Sequence, residues 1–211
     1  MDEKESMWHR ETVDAKVERA LTDLHQLPIL ARFYLAGGTG LALHLGHRRS
    51  VDLDFFLDDN LDEDALLQKL QHLEAFALTA QGPGTIHAQI ESTKVSFIAY
   101  EYPLLFPLQA FLGVNVADPR EIACMKISAI ASRGTKRDFV DLYAVSQRFG
   151  LEKILGWFIR KFARTNYSWV HVLKSMTYFE EAERDPMPDM LTALSWEEVK
   201  LFFAREAPRL L

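Results

Sequence analysis

The chain has 211 residues, of which 48% are hydrophobic and 26% charged, and its formal net charge is −6. This composition is typical of a globular protein with one large or two small domains. Cys124 is the single cysteine, which excludes an intramolecular disulfide and favours a reducing compartment. Residues 1–20 are charged throughout, and no apolar run approaches the roughly 20 residues that cross a bilayer. We therefore expect a soluble cytoplasmic protein with no membrane partner.

The charge distribution is uneven along the chain. Basic side chains gather at 47–49, 133–137 and 160–164, whereas acidic ones dominate 58–64 and 180–189. A negative protein does not attract nucleic acid over its whole surface, but a local basic opening is compatible with this pattern. Solvated helix faces are the alternative explanation for clusters of this size.

The first half of the chain mixes helical and strand-like patterns. Residues 10–26 carry apolar side chains at helical spacing, and Pro28 follows them. The next predicted elements, in chain order, are a strand at Phe33–Ala36, a helix at Thr39–Leu45 closed by Gly46, a strand at Val51–Leu57, a helix at Leu61–Leu73, and strands at Phe76–Ala80, Thr85–Glu91 and Lys94–Tyr100.

After Asn115 the pattern becomes helical. Asp118 and Pro119 are typical of an N-cap followed by a proline in the first turn. Helices are predicted over 119–132, 136–149, 151–164, 167–184 and 195–206, with breaks marked by glycine, proline or asparagine. We predict an α+β fold in two parts, a mixed α/β core at 1–115 and an all-helical part at 116–211, with a cleft between them.

The stretch GGTGLALHLGHRRSVDLDFF, from Gly37 to Phe56, contains an Asp-x-Asp pair on a predicted strand. Alternate side chains of a strand share a face, so Asp52 and Asp54 point the same way, and Val51, Leu53 and Phe55 are expected to point into the core. Two carboxylates so placed can converge on a hard divalent cation, Mg²⁺ or Mn²⁺, which keeps positions open for substrate phosphates.

The glycine turn before this strand suits a phosphate group. Gly37 and Gly38 allow close approach of the backbone, and Thr39 begins a helix whose free N–H groups favour an anion. An ordinary turn and a solvated strand face are the simpler alternatives. A zinc site using His44 and His47 is a further one, whereas the dinucleotide-binding glycine pattern is incomplete.

A second group of charged residues lies in the helical half. Lys126 stands beside an apolar helix stripe and could reach a triphosphate as a point charge. Arg133, Lys136 and Arg137 bring three cations to a helix junction, and Asp138 and Asp141 share one side of the next helix. These aspartates could orient the cations or accept a proton, or the whole set could be interhelical salt bridges.

Together these motifs resemble the AbiEii/AbiGii toxin family of nucleotidyltransferase-fold proteins. The resemblance rests on Gly-Gly-Thr, Gly-His-Arg-x-Ser and Asp-x-Asp-Phe-Phe in the first half. In the second half it rests on Glu-Ile-Ala-x-x-Lys, Ala-Ile-x-x-Arg-Gly and Lys-Arg-Asp-Phe-x-Asp-Leu-Tyr. It covers residues 30–145 and implies a DNA polymerase β-like nucleotidyltransferase core, a mixed sheet with helices.

The resemblance also implies roles for individual residues. Asp52 and Asp54 match the metal acids, Lys126 matches the motif lysine, and Asp138 or Asp141 matches the downstream acid; we take these five as catalytic candidates. The nucleotide-binding candidates are Gly37, Gly38, Thr39, Arg48, Arg49, Ser50 and Arg133. For the turn at 47–49, a solvated surface is an equal alternative.

The implied activity is transfer of a nucleoside monophosphate from an NTP to a hydroxyl. The implied acceptors are tRNA or another RNA, or a protein, and the implied partner is an antitoxin protein. Active nucleotidyltransferases usually carry a third carboxylate on a later strand, yet Lys94–Tyr100 contains none. Glu91, Glu101, Asp138 and Asp141 are candidate substitutes, and we favour the last two. A binding module without turnover is the alternative function.

Overall fold

The computed structural model describes residues 8–210. Seven strands form one mixed sheet in the order β3-β4-β5-β2-β1-β7-β6. The strands are β1 (Tyr34–Leu35), β2 (Leu53–Leu57), β3 (Phe76–Gly82), β4 (Thr85–Ile90), β5 (Thr93–Ala99), β6 (Gln109–Phe111) and β7 (Val114–Val116). The helices are α1 (Ala15–His25), α2 (Gly37–Leu45), α3 (Glu63–Leu70), α4 (Pro119–Ser132), α5 (Lys136–Phe149), α6 (Leu151–Lys161), α7 (Trp169–Ser175), α8 (Glu180–Glu183) and α9 (Trp196–Glu206). The predicted α+β organisation is confirmed.

The sheet buries one face against α1 and α3. Leu53, Phe55 and Phe97 are fully buried on that face, because alternate residues of β2 and β5 point the same way. The intervening residues of β2 point to the opposite face, where the helical half packs. Val51 is an exception to our prediction: it precedes β2 and is 56% exposed rather than buried.

The helical half has its own buried cluster. Ile122 and Ile127 of α4, Phe139 and Leu142 of α5, and Phe158 of α6 belong to it. Helix α2 joins the two clusters, because Leu41 packs in the helical cluster and Leu43 in the sheet cluster. Because this short helix packs against both clusters, its N-terminus has a defined direction.

Several helices and strands of the structure differ from the predicted ones in their boundaries. The helix predicted at 10–26 is a 3₁₀ turn at Arg10–Thr12 followed by α1. The helix predicted at 167–184 is two short helices, α7 and α8. The hairpin of β6 and β7 was not predicted, since three-residue strands leave too short a pattern to recognise.

The proposed division of the chain at residue 115 falls inside β7. The two apolar clusters support a division near this point, and we propose that the sheet half extends to Val116, where β7 ends. Within residues 8–210, no helix is long and apolar enough to span a membrane.

Candidate active site

A polar cleft of about 270 Å³ lies between the sheet half and the helical half. Its lining comes from both: Gly38, Arg48, Ser50, Asp52, Asp54, Lys94, Ser96, Lys126, Arg133, Thr135, Arg137 and Asp138. Five of these side chains are basic and three are acidic. A chain of net charge −6 therefore has a locally cationic opening, as an anionic ligand requires. We call this space the inner cleft.

Asp52 and Asp54 line the inner cleft together, as the strand alternation predicts. Asp52 lies just before β2, is 40% exposed, and has Arg137 Nη1 at 3.7 Å from its Oδ2. Asp54 is more enclosed, and burial raises the pKa of its carboxyl, with the charge of Asp52 adding to the shift. A hydrogen bond from Ser96 and the charge of Lys126 oppose that shift. The positive charge nearby thus offsets the burial of the Asp54 carboxylate only in part, and a bound cation would add to it.

The N-terminus of α2 faces the same two acids. Gly37 has a positive φ of 62°, and a Cβ on it would lie 2.8 Å from Asp54 Oδ2. A Cβ on Gly38 would lie too close to Arg48 Nη2, in contact with its guanidinium. Both glycines are therefore required by close packing around the site. The N-cap residue, Ala36, makes no side-chain cap hydrogen bond, so the first-turn N–H groups can serve a ligand.

Thr39 has a different position from the one we predicted. Its side chain is only 1% exposed and does not line the inner cleft. The hydroxyl lies 2.8 Å from Ser50 Oγ and donates a hydrogen bond to the carbonyl oxygen of Asp52. Thr39 consequently holds the segment that carries Ser50 and Asp52, while Ser50 itself reaches the cleft.

A buried ionic network supports the helical side of the cleft. Lys126 Nζ lies 2.9 Å from Asp138 Oδ1 and 2.7 Å from Asp141 Oδ2. Arg48 binds Asp141 through Nε and Nη2, at 2.6 and 2.9 Å. His47 Nε2 lies 2.8 Å from Asp141 Oδ1. The network links the turn after α2 to α4 and α5, and thereby fixes the two halves around the cleft.

The charges in this network stabilise each other. Burial alone would raise the pKa of Asp141, yet Lys126 and Arg48 hold it well below its ordinary value. Burial likewise opposes the lowered pKa of Asp138, which Lys126 and the Thr135 hydroxyl bring about. Burial lowers the pKa of Lys126, but Asp141 and Asp138 outweigh it and raise the pKa overall. All three residues are therefore charged at neutral pH.

Asp138 and Asp141 differ in their access to the cleft. Asp138 lines it, and as the third residue of α5 it also forms a capping box with Thr135. Asp141 is fully buried, is absent from the cleft lining, and has both oxygens engaged by Lys126, Arg48 and His47. Our prediction of Asp141 as a possible proton acceptor is therefore replaced by a positioning role.

The basic residues also separate into different environments. His47 and Arg48 are 4% and 3% exposed, so these two residues of the turn at 47–49 do not lie on the solvated surface we considered. Arg48 reaches the cleft, whereas Arg49 is exposed and pairs with Asp189 at 3.1 Å. Arg49 does not line the cleft, and its predicted contact with nucleotide has no support. Burial of His47 and Arg48 was missed because their partner, Asp141, is distant in sequence.

The remaining cations differ as well. Arg133 is the C-cap of α4, and it and Arg137 line the cleft from exposed positions. Lys136 instead turns away: its Nζ donates to the carbonyl oxygen of Asp185 at 2.6 Å and lies over the Trp196 ring. The zinc alternative also fails, because His44 Nε2 bonds the carbonyl oxygen of Ala117. Residues 8–210 contain no cluster of three or more metal-ligating side chains.

A serine, and not a third carboxylate, stands beside Asp54 on the neighbouring strand β5. In the parallel pairing of β2 with β5, Asp54 is opposite Ser96, and Lys94 lies two residues before it on the same face. Both line the cleft, whereas we expected only acids of this strand to contribute to the site. The alternation of Lys94 and Ser96 with buried Val95 and Phe97 was the signal that could have identified them.

A wider space adjoins the inner cleft. It has a volume of about 540 Å³, and the two share Asp54, Ser96 and Lys126 among their lining residues. Phe56, Ile98, Tyr100, Met125 and His87 give it a more apolar wall. We call this space the outer chamber. Its aromatic and apolar lining suits a planar organic group rather than phosphates.

The cleft residues fit a divalent cation. Asp52 and Asp54 are hard oxygen donors that line the same cleft, and a cation there would offset the burial that raises the pKa of Asp54. Two protein carboxylates suffice for Mg²⁺, which usually retains water and substrate oxygens as its other ligands.

Comparison with known proteins gives the family and the fold of the chain. The sequence profile of the family described as "Nucleotidyl transferase AbiEii toxin, Type IV TA system" matches residues 19–209. An uncharacterized protein from Aquifex aeolicus is 36% identical over 192 residues, which cover 89% of this chain and 92% of that protein.

Solved structures with the same fold include two nucleotidyltransferases. The nucleotidyltransferase toxin MenT4 from Mycobacterium tuberculosis matches with a TM-score of 0.57 and 18% identity over 92% of this chain and 84% of its own. The antibiotic-resistance factor ANT(2'')-Ia matches with a TM-score of 0.53 and 13% identity over 70% of this chain and 94% of its own. The predicted nucleotidyltransferase fold is thereby confirmed, and from its sequence and fold the chain belongs to the AbiEii family of nucleotidyltransferase toxins.

Proposed function

We propose that this protein transfers a nucleoside monophosphate from an NTP to an RNA hydroxyl, with Mg²⁺ or Mn²⁺ held by Asp52 and Asp54. The observation that carries the proposal is the inner cleft, which brings two carboxylates, a helix N-terminus and five basic side chains together. Phosphoryl transfer depends mainly on positioning and neutralisation of charge, and this arrangement supplies both.

Different cleft residues would bind the phosphates of the substrate and support the glycine turn. The first-turn N–H groups of α2, with Arg133 and Arg137, would bind the triphosphate oxygens. Lys126 is held by Asp138 and Asp141 and would present one remaining N–H to a phosphate oxygen. A bound Mg²⁺ would supply charge neutralisation at the reacting phosphate. Ser50 and Arg48 would fix the position of the glycine turn beneath it.

RNA is the proposed acceptor, and tRNA is one candidate. Lys94, Arg133 and Arg137 are exposed at the opening of the cleft, where they would contact a phosphate backbone. Membership of a toxin family supports an antitoxin protein as partner, and the cytoplasm as the place of action. A protein hydroxyl is the competing acceptor.

The test is transfer of label from each of four [α-³²P]NTPs to total RNA and to protein, with Mg²⁺ or with EDTA. We expect labelled RNA only with Mg²⁺, and none with Asp52→Asn. The matched control is Asp59→Asn, because Asp59 is an exposed aspartate paired with Arg32 outside the cleft. Label in protein alone would replace the RNA acceptor, and no label anywhere would contradict the proposed activity.

The serine beside Asp54 on β5 supports a second candidate, a module that binds NTP without turnover. Asp54 then has Ser96 rather than an acid beside it. This candidate predicts Mg²⁺-dependent NTP binding without transfer to any acceptor and without release of pyrophosphate.

A further inference from the structure

Three polar side chains form a row across three adjacent strands. The parallel pairing of β2 and β5 sets Asp54 opposite Ser96, and the antiparallel pairing of β4 and β5 sets His87 opposite Ser96. Directly paired residues project from the same face of a sheet. The row therefore begins at the carboxylate of the inner cleft and ends in the outer chamber, which His87 lines.

The contacts of Ser96 connect this row and determine which side chains donate protons and which accept them. His87 Nδ1 lies 3.1 Å from Ser96 Oγ, and the Ser96 hydroxyl, opposite Asp54 in the strand register, lowers the pKa of that carboxyl as a hydrogen-bond donor. An ionised carboxylate only accepts, so the Ser96 hydroxyl must donate its proton to Asp54. Ser96 Oγ then accepts from His87 Nδ1–H. In this tautomer the lone pair of His87 Nε2 is free to take a proton.

The surroundings of His87 separate it from the ionic network. Ala80 of β3 is its neighbour on the other side, so no charged side chain is directly paired with it across the sheet. The charged groups lining the outer chamber are Asp54, Lys126, Arg133 and Asp138, with Lys94 on the adjoining inner cleft. Lys126 and Asp138 pair with each other, and the exposed His87 side chain lines the chamber.

We propose that His87 is a catalytic base that accepts the proton of the acceptor hydroxyl; this rests on the proposed function. The hydroxyl oxygen attacks the α-phosphorus, a new O–P bond forms, and the P–O bond to pyrophosphate breaks. The hydroxyl proton goes to His87 Nε2 and is then released to water. Ser96 is the positioning residue that fixes the tautomer of His87. Together, His87 and Ser96 provide the proton acceptor for which β5 has no carboxylate.

The experiment compares His87→Gln and His87→Ala with the native protein. Rates of NMP transfer are measured against pH, and Mg²⁺–NTP affinity is measured separately. We expect a loss of about 10²–10⁴-fold in kcat, with NTP affinity unchanged. The ascending limb of the pH–rate profile should disappear in the variants. Added imidazole should restore part of the rate to His87→Ala, an effect that a purely structural residue would not show.

Two further variants complete the test. Gln89→Ala lies two residues along the same strand and should keep the native rate. Ser96→Ala should lower kcat by a smaller factor than His87→Ala, because the base remains but its tautomer is no longer fixed. Native kcat and an unchanged pH profile in His87→Gln would overturn the assignment of His87 and leave the proposed function intact. Absence of transfer by the native protein would instead overturn both.

Discussion

Two groups of aspartates face each other across the cleft, and their electrostatics are opposite. Asp54 in the sheet half has a raised pKa, because burial is only partly offset by the charges around it. Asp141 in the helical half has a pKa far below its ordinary value, because Lys126 and Arg48 outweigh its complete burial. The same residue type therefore serves two purposes. The Asp54 carboxylate can accept an added cation, whereas the Asp141 carboxylate is already paired with Lys126, Arg48 and His47 and stabilises the fold.

The largest expected effect is on activity, at the sheet-half acids. Asp54→Asn should lower transfer by at least about 100-fold, the usual cost of removing one preorganised electrostatic group. It should not lower the free energy of unfolding, since the folded state disfavours the charged form of Asp54. Transfer assays and denaturant unfolding on the same preparation check both results. A destabilised Asp54→Asn would show that the contrast between the two groups is wrong.

The next effect is on stability, at the helical-half network. Asp141→Asn should cost roughly 3–5 kcal/mol of unfolding free energy, because Arg48 would remain buried without its carboxylate partner and Lys126 would lose one of its two. The control is Asp189→Asn, which removes an exposed pair with Arg49 and should cost about 0–1 kcal/mol. Equal stability of the two variants, measured by urea unfolding, would contradict the structural role of Asp141.

The contributions of Asp141 and Asp54 to the free energy of unfolding should also change with pH in opposite directions. Because the folded-state pKa of Asp141 is lowered, its stabilisation is complete above the unfolded value of about 3.9 and is lost as pH falls through the folded pKa. The difference in unfolding free energy between native protein and Asp141→Asn should therefore shrink below about pH 4. Asp54 has the reverse sign: its contribution becomes less favourable as pH rises through its raised pKa. Unfolding curves measured from acid to neutral pH test both signs.

A smaller effect is expected where the glycine turn contacts Asp54. Gly37→Ala places a Cβ 2.8 Å from Asp54 Oδ2 at a φ of 62°, which should cost roughly 1–2 kcal/mol and displace the carboxylate. Transfer should fall together with stability. Gly156→Ala is the control, because a Cβ there meets open space within α6; alanine should stabilise that helix by up to about 1 kcal/mol.

The smallest effects belong to the exposed cations at the opening. Lys94→Ala and Arg137→Ala should each raise the KM for NTP or RNA by roughly twofold to tenfold, since exposed charges contribute little individually. The effect should weaken with added salt. Lys69→Ala, on α3 at the far face of the sheet, should leave KM unchanged. Steady-state kinetics at two salt concentrations provide the measurement. An equal change of KM in Lys69→Ala and in the cleft variants would show that the overall charge of the protein, and not the position of these cations, is responsible.

Local patterns were enough to predict the acids and the turn. The period of two in a strand placed Asp52 and Asp54 on one face, and Gly46 marked the end of α2, which begins at Gly37 rather than at the predicted Thr39. These inferences depend on residues that are close in sequence. The hairpin of β6 and β7 lacked such a signal because each strand has only three residues.

The environment of charged residues could not be predicted in the same way. Burial of Arg48 depends on Asp141, which is 93 residues away, and burial of Lys136 depends on Asp185. A charged residue in a turn is normally exposed, so only the tertiary pairing reveals the exception. The row of Asp54, Ser96 and His87 was missed for the same reason, since strand register joins residues that are distant in sequence.

The most direct test of the central claim is calorimetric titration of NTP into the native protein, Asp54→Asn and Asp138→Asn, each with Mg²⁺ and with EDTA. The claim is that Asp54 provides the capacity for a cation and its nucleotide. The native protein should bind NTP tightly only with Mg²⁺, and Asp54→Asn should lose that Mg²⁺-dependent gain. Asp138→Asn should weaken binding but keep a gain from Mg²⁺. Equal Mg²⁺-dependent affinity in the native protein and Asp54→Asn would contradict the account.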